Sequence, residues 1–163
     1  MRDQRFVAVH RGGPLDKESH IWLARWAADC AETVLPFFVR KNVNDDRPAM
    51  ALAVIRAWAN GEVKTGEAMK ASLAAHAAAR ASTDKAAIAA ARAAGQAVAT
   101  AHMADHSMGA LLYAVKALEA SGLESESELK SRLEKLPHHL REQVESGVLA
   151  RLGKLGSKGS RLR

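Results

Sequence analysis

Apolar positions recur along this chain with the three- and four-residue spacing of helices, broken at regular intervals by Gly, Pro, Asn and Asp. Leu23, Trp26, Ala27, Cys30 and Val34 share one face of a helix expected over residues 16–35, while Arg25, Asp29 and Glu32 share another. Pro36 ends it, and Phe37, Phe38 and Val39 form an apolar exit. Asp45 or Asp46, with Pro48 in the first turn, opens a second helix that stops at Asn60-Gly61. Thr65 caps a third helix to residue 81, and Asp84 a fourth over 84–104. A fifth spans 108–120, after a break at 105–107. A continuous helix from 84 to 120 would be roughly 55 Å long, too long for one small domain.

Ser125-Glu126-Ser127-Glu128 has capping-box wording and starts a sixth helix to residue 136. Pro137 separates that helix from a last one over 138–152. Ahead of all of these, Arg5 to Gly13 has the β-branched alternation of a short extended segment. The fold class expected is therefore all-α: a compact bundle or array of about six to seven helices behind a short extended N-terminal segment. Residues 1–152 form the single helical domain, and 153–163 a flexible, basic C-terminal tail rich in Gly, Ser, Lys and Arg.

Composition changes this picture in one respect. Between residues 68 and 104, 19 of 37 residues are alanine, so these helices are slim and their axes can approach closely. Alanine buries little area, which leaves the burial energy to Trp22, Trp26, Trp58, Leu73, Ile88, Leu111, Leu112 and Tyr113 as expected anchors. Gly95 interrupts the alanine run at a cost of about 1 kcal/mol relative to Ala, which implies close packing against a neighbour.

Net charge is +6, concentrated at the two ends. Residues 151–163 hold five cations and no acid, and the first 13 residues add three arginines against Asp3, leaving the helical body close to neutral. The basic tail is a candidate contact for nucleic-acid phosphate. An aromatic content of 4% disfavours an extended base-stacking surface. One cysteine excludes an internal disulfide, and the polar N-terminus has no apolar signal-peptide core, so a cytoplasmic protein with no membrane association is expected.

Candidate chemistry is sparse. His102 and His106 are four apart and could share a metal on a continuous helix, with a third ligand from Asp105, His76, Asp29 or Cys30. No Glu follows His102, and no Glu-x-x-His pair exists, so the simpler use of both imidazoles is hydrogen bonding at a helix junction. Cys30 falls on an apolar helix face and is expected to be inert. Asp29 either pairs with Arg25 on the solvated face or is a buried acid that orders another segment or meets a partner. There is no phosphate loop, nucleophile elbow or carboxylate cluster, so no catalytic residues and no cofactor are assigned, and an enzyme is not expected.

One resemblance adds to these observations. Arg5-Phe6-Val7-Ala8-Val9-His10-Arg11-Gly12-Gly13, then Trp26-Ala27-Ala28-Asp29-Cys30-Ala31-Glu32, resembles the immunity proteins of bacterial polymorphic toxin systems. The likeness continues through Asp46-Arg47-Pro48, Arg56-Ala57-Trp58, Ala74-Ala75-His76, Ala93-Ala94-Gly95-Gln96, Ala101-His102-Met103 and His106, to Ala114-Val115-Lys116-Ala117. It covers roughly the first 120 residues. The resemblance implies a small cytoplasmic helical protein that neutralises a cognate toxin by binding it, without catalysis. On that basis Asp29, His76, His102 and His106 become candidate partner contacts.

Overall fold

Eight α-helices account for most of the computed structural model, which describes residues 2–160, with side chains through residue 153. They are α1 (Lys17–Glu32), α2 (Leu35–Lys41), α3 (Arg47–Ala59), α4 (Thr65–Ala81), α5 (Lys85–Ala99), α6 (His106–Ala120), α7 (Glu126–Glu134) and α8 (His138–Ser160). Among the described residues there is no strand.

Most helix ends follow the sequence, with the capping work often done by a neighbouring residue. Asp16 accepts from the Ser19 amide at 2.7 Å, and Asp84 from the Ala87 amide at 2.9 Å. At α3 it is Asp45 that accepts from the Arg47 amide at 3.2 Å, one residue ahead of the N-cap Asp46. At α7, Glu124 accepts from the Ser127 amide in place of the expected Ser125. Thr65 does not cap α4; its hydroxyl accepts from the Trp58 indole instead. The expected apolar exit after α1 is a further helix. Pro36 closes α1 and then fits the first turn of α2, where a missing amide is tolerated, and Phe38 from that helix is fully buried.

α5 is the axis of the fold and packs against α1, α2, α3, α4 and α6. Ten of its fifteen residues are buried, eight of them alanine, so it is apolar all round, as a central helix must be. Around it lies an alanine-rich core closed by Phe38, Leu52, Ile55 and Val98. A second core, built from larger side chains, joins α1, α6, α7, α8 and the N-terminal segment through Phe6, Leu15, Leu23, Trp26, Met108, Leu111, Leu136, Leu140, Val144 and Val148. Each large side chain there contributes roughly 1.5–3 kcal/mol by burial. Trp26 is 2% exposed, and its indole donates to the Arg132 carbonyl at 2.9 Å, tying α1 to α7.

Two expected anchors are on the surface. Trp22 is 36% exposed and Leu73 is 71% exposed. The buried arc of α1 is set by Leu23, Trp26, Ala27 and Cys30, and Trp22 lies one residue outside it. In α4 the inward residues are Ala68, Ser72, Ala75, Ala78 and Ala79, which turns Leu73 toward solvent. Small residues win the contact face because α4 and α5 lie close together. The N-terminal segment is likewise not extended. It forms short 3-10 turns at Gln4–Phe6 and Val9–Arg11, and a single parallel bridge joins Ala8 to Leu15. Gly12, at φ 83°, supplies the left-handed turn that reverses the chain.

The break between α5 and α6 falls at residues 100–105, a little earlier than expected. α8 runs past the expected end at 152 to Ser160; of the expected flexible tail, residues 161–163 lie outside the described residues.

Gly95 is a point of close approach in the alanine core. A Cβ there would stand 2.7–2.9 Å from three ring atoms of His76, and the Gly95 carbonyl accepts from the Ser72 hydroxyl at 3.0 Å. Gly95→Ala is therefore expected to lower stability by about 1–3 kcal/mol through overpacking, although Ala is the better helix former. In a His76→Ala background the same change should stabilise, a sign reversal that urea denaturation of the four proteins would measure. Trp26→Ala is expected to cost about 3–5 kcal/mol in the same assay, the loss usual for a buried Trp.

Candidate partner-binding cleft

A cleft of about 950 Å³ opens between the N-terminal segment, the first turns of α1 and the turn joining α3 to α4. Its floor is a pair of rings, His20 and Trp58, with centroids 5.0 Å apart and planes inclined at 54°. Both rings are held by hydrogen bonds. The Trp58 indole donates to Thr65 Oγ1 at 3.1 Å, and His20 Nε2 lies 2.6 Å from the Thr100 carbonyl. A carbonyl only accepts, so Nε2 carries the proton. Val9, Ile21 and Val63 form apolar walls, with Val9 59% exposed, and His10, Asp16 and Lys17 add polar groups at the edge.

His20 reaches the floor because it lies on the buried face of α1, three residues before Leu23 and seven before Ala27. That spacing was present in the sequence, but a polar residue near a helix start gave no reason to place it inside. Burial is the main cause that pushes its pKa down; His10, Arg11 and His102 push the same way, while the Thr100 carbonyl opposes them. The cleft thus presents a neutral imidazole, an indole face and aliphatic walls. This surface suits an apolar side chain with a hydrogen-bonding group. Cys30 does not line the cleft; it is buried elsewhere, with its thiol pKa pushed up by desolvation.

The four residues singled out in the sequence lie apart from this cleft. Asp29 is neither paired with Arg25 nor buried. It stands on the outer face of α1, where Arg56 of α3 donates to it and to Glu32, each at 2.9 Å. Arg25 instead donates to Asn60 Oδ1 at 3.0 Å, at the end of α3. His76 sits on α4 over Gly95, with Nδ1 buried and unpartnered. His102 is half-buried in the turn after α5, near Arg11 and Arg2. His106 begins α6, and its Nδ1 lies 2.8 Å from Gln96 Oε1. Because α5 ends at Ala99, His102 and His106 do not share one helical face. Among the described residues, no group of three or more His, Cys, Asp or Glu side chains is placed to hold a metal ion.

His20, His76, His102 and His106 all have pKa values pushed down, desolvation being the largest cause in each. Each therefore takes up a proton more readily in the unfolded chain, whose value is near the ordinary ~6.5. Folding stability is then full above that value and falls as the pH drops through it toward the lower folded values. The melting temperature should decline between about pH 7 and pH 5, and His20→Gln should flatten that decline.

No curated protein and no solved structure matches the chain. A family model does, over residues 13–139, which take in α1 to α7 and the first residues of α8. The chain belongs to the family described as Imm-5 like putative immunity protein.

Proposed function

We propose that this protein neutralises a cognate bacterial toxin by stoichiometric binding, without catalysing a reaction, and that the toxin engages the cleft over His20 and Trp58. The observation that carries this is the family match, which spans the helical body and most of the cleft. The cleft supplies what a binding hot spot needs: an anchored aromatic ring, apolar walls and polar groups at the rim. Its floor is fixed by hydrogen bonds on both rings, so little conformational freedom is lost when a partner side chain enters.

In this proposal the protein acts in the cytoplasm of the cell that makes a polymorphic toxin. Among the described residues, no helix is long and apolar enough to cross a membrane. Inhibition is steric or allosteric: a toxin held on this surface has its own active site covered or is locked in an inactive shape. Of the four sequence candidates, Asp29 is the one on an open surface, where a toxin group could extend the Arg56 network. His76 and His106 are engaged in helix packing.

The test is to read the neighbouring open reading frames for a toxin and co-express it with this protein. The wild-type protein should restore growth and co-purify with the toxin as a stoichiometric complex. Val9→Asp combined with Val63→Asp should weaken the complex by about tenfold or more while leaving the melting temperature nearly unchanged, since Val9 is exposed and Val63 only half-buried. Unchanged affinity in that variant would move the toxin contact off the cleft. Failure of the wild-type protein to bind or protect would overturn the neutralisation itself.

A further inference from the structure

A second concavity, about 380 Å³, runs between α5 and α6. Lys85, Ile88 and Arg92 recur along one side of α5, and Tyr113 and Lys116 along the facing side of α6. Its lining contains three cations and no acid. None of the three forms an ion pair among the described residues, whereas Arg56 and Arg132 on neighbouring helices do. The Lys116 ammonium lies 5.4 Å from the Tyr113 ring centroid and is held over its face. In a helical body that is close to neutral overall, this is a local accumulation of one sign over an apolar floor.

We propose that this groove binds an acidic segment of a partner protein, with carboxylates on Lys85, Arg92 and Lys116 and an apolar side chain between Ile88 and Tyr113. Charge complementarity selects the occupant. The cations stand around an apolar strip, so a chain that alternates acidic and apolar residues satisfies both at once. A nucleic-acid strand is a poorer match: the groove offers one aromatic ring, and Lys116 covers a face of it, leaving no series of stacking platforms. The inference rests on the toxin-binding proposal only for the partner's identity, since the groove's preference can be measured without a toxin.

The experiment uses the full-length protein and a fluorescent synthetic peptide that alternates Glu with Leu and Phe, read by anisotropy. Arg92→Glu with Lys116→Glu should weaken binding about tenfold. Arg40→Glu with Lys41→Glu, an equal charge change at exposed cations of α2, should alter it by less than about twofold. The neutral pair Arg92→Gln with Lys116→Gln should give an intermediate loss, and unchanged circular dichroism would show that all three fold. Equal losses in the groove and α2 variants would overturn the proposal, because net charge alone would then explain binding. A matched-charge oligonucleotide that binds more tightly, with the same sensitivity to Arg92→Glu and Lys116→Glu, would also overturn it in favour of nucleic acid. A toxin that binds the cleft but ignores the groove variants, together with no peptide binding, would defeat this inference and leave the toxin-binding proposal intact.

Discussion

The close approach of α5 to five neighbouring helices is the constraint on which the rest of the fold depends. A central helix with Leu or Phe on every side would hold its neighbours too far apart to surround it in so small a domain. Alanine on nearly every face removes that obstacle, and each contact then contributes little burial energy. The second core repairs the deficit. Trp26, Phe6, Leu111, Leu136 and the buried Leu140, Val144 and Val148 of α8 supply the larger buried areas that the alanine core lacks. The two cores meet along α1, which offers alanines to α5 and Trp26 and Leu23 to the other side.

Polar groups inside this arrangement hold segments that apolar contact alone would leave loosely placed. The His20 hydrogen bond to Thr100 ties α1 to the turn after α5, and His106 with Gln96 ties that turn's far end back to α5. Both imidazoles are desolvated and held neutral, so these ties work as ordinary hydrogen bonds between uncharged groups. The cleft inherits its geometry from the first of them. Its floor is built from side chains whose orientation is settled by hydrogen bonds to Thr100 and Thr65, the kind of pre-set surface that the proposed partner binding calls for.

Much of the fold was legible in the sequence because alanine, Pro and Gly act through local physics. The helix over 65–81, the close packing at Gly95, the break between α5 and α6 and the burial of Trp26 all follow from propensity and spacing. The errors arose where two local rules competed. Pro36 reads as a stop in the sequence, although its position also suits a helix start. Leu73 reads as an anchor by size, but its helix approaches α5 through alanines, and the bulky residue is turned outward. The cleft was not legible at all. It joins residues near 9, 20, 58 and 63, and no periodicity links positions so far apart along the chain. The partner of Asp29 is hidden from the sequence for the same reason, since Arg56 comes from another helix.

Alanine-faced helices have one weakness: their surfaces are smooth, and a helix can slip one turn, ~5.4 Å, past its neighbour while exchanging methyl groups for methyl groups. This protein has two notches that forbid such sliding. The His76 ring of α4 fills the space a Cβ would occupy at Gly95, and the Gln96 side chain of α5 does the same at Gly109 of α6. A one-turn slip would drive the His76 ring into Ala91 or Ala99, or the Gln96 amide into Asp105 or Tyr113. α4, α5 and α6 are thus pinned in one register by two glycines, Gly95 of α5 against α4 and Gly109 of α6 against α5. A sequence dominated by a single small residue can in this way still specify a single alignment of its helices.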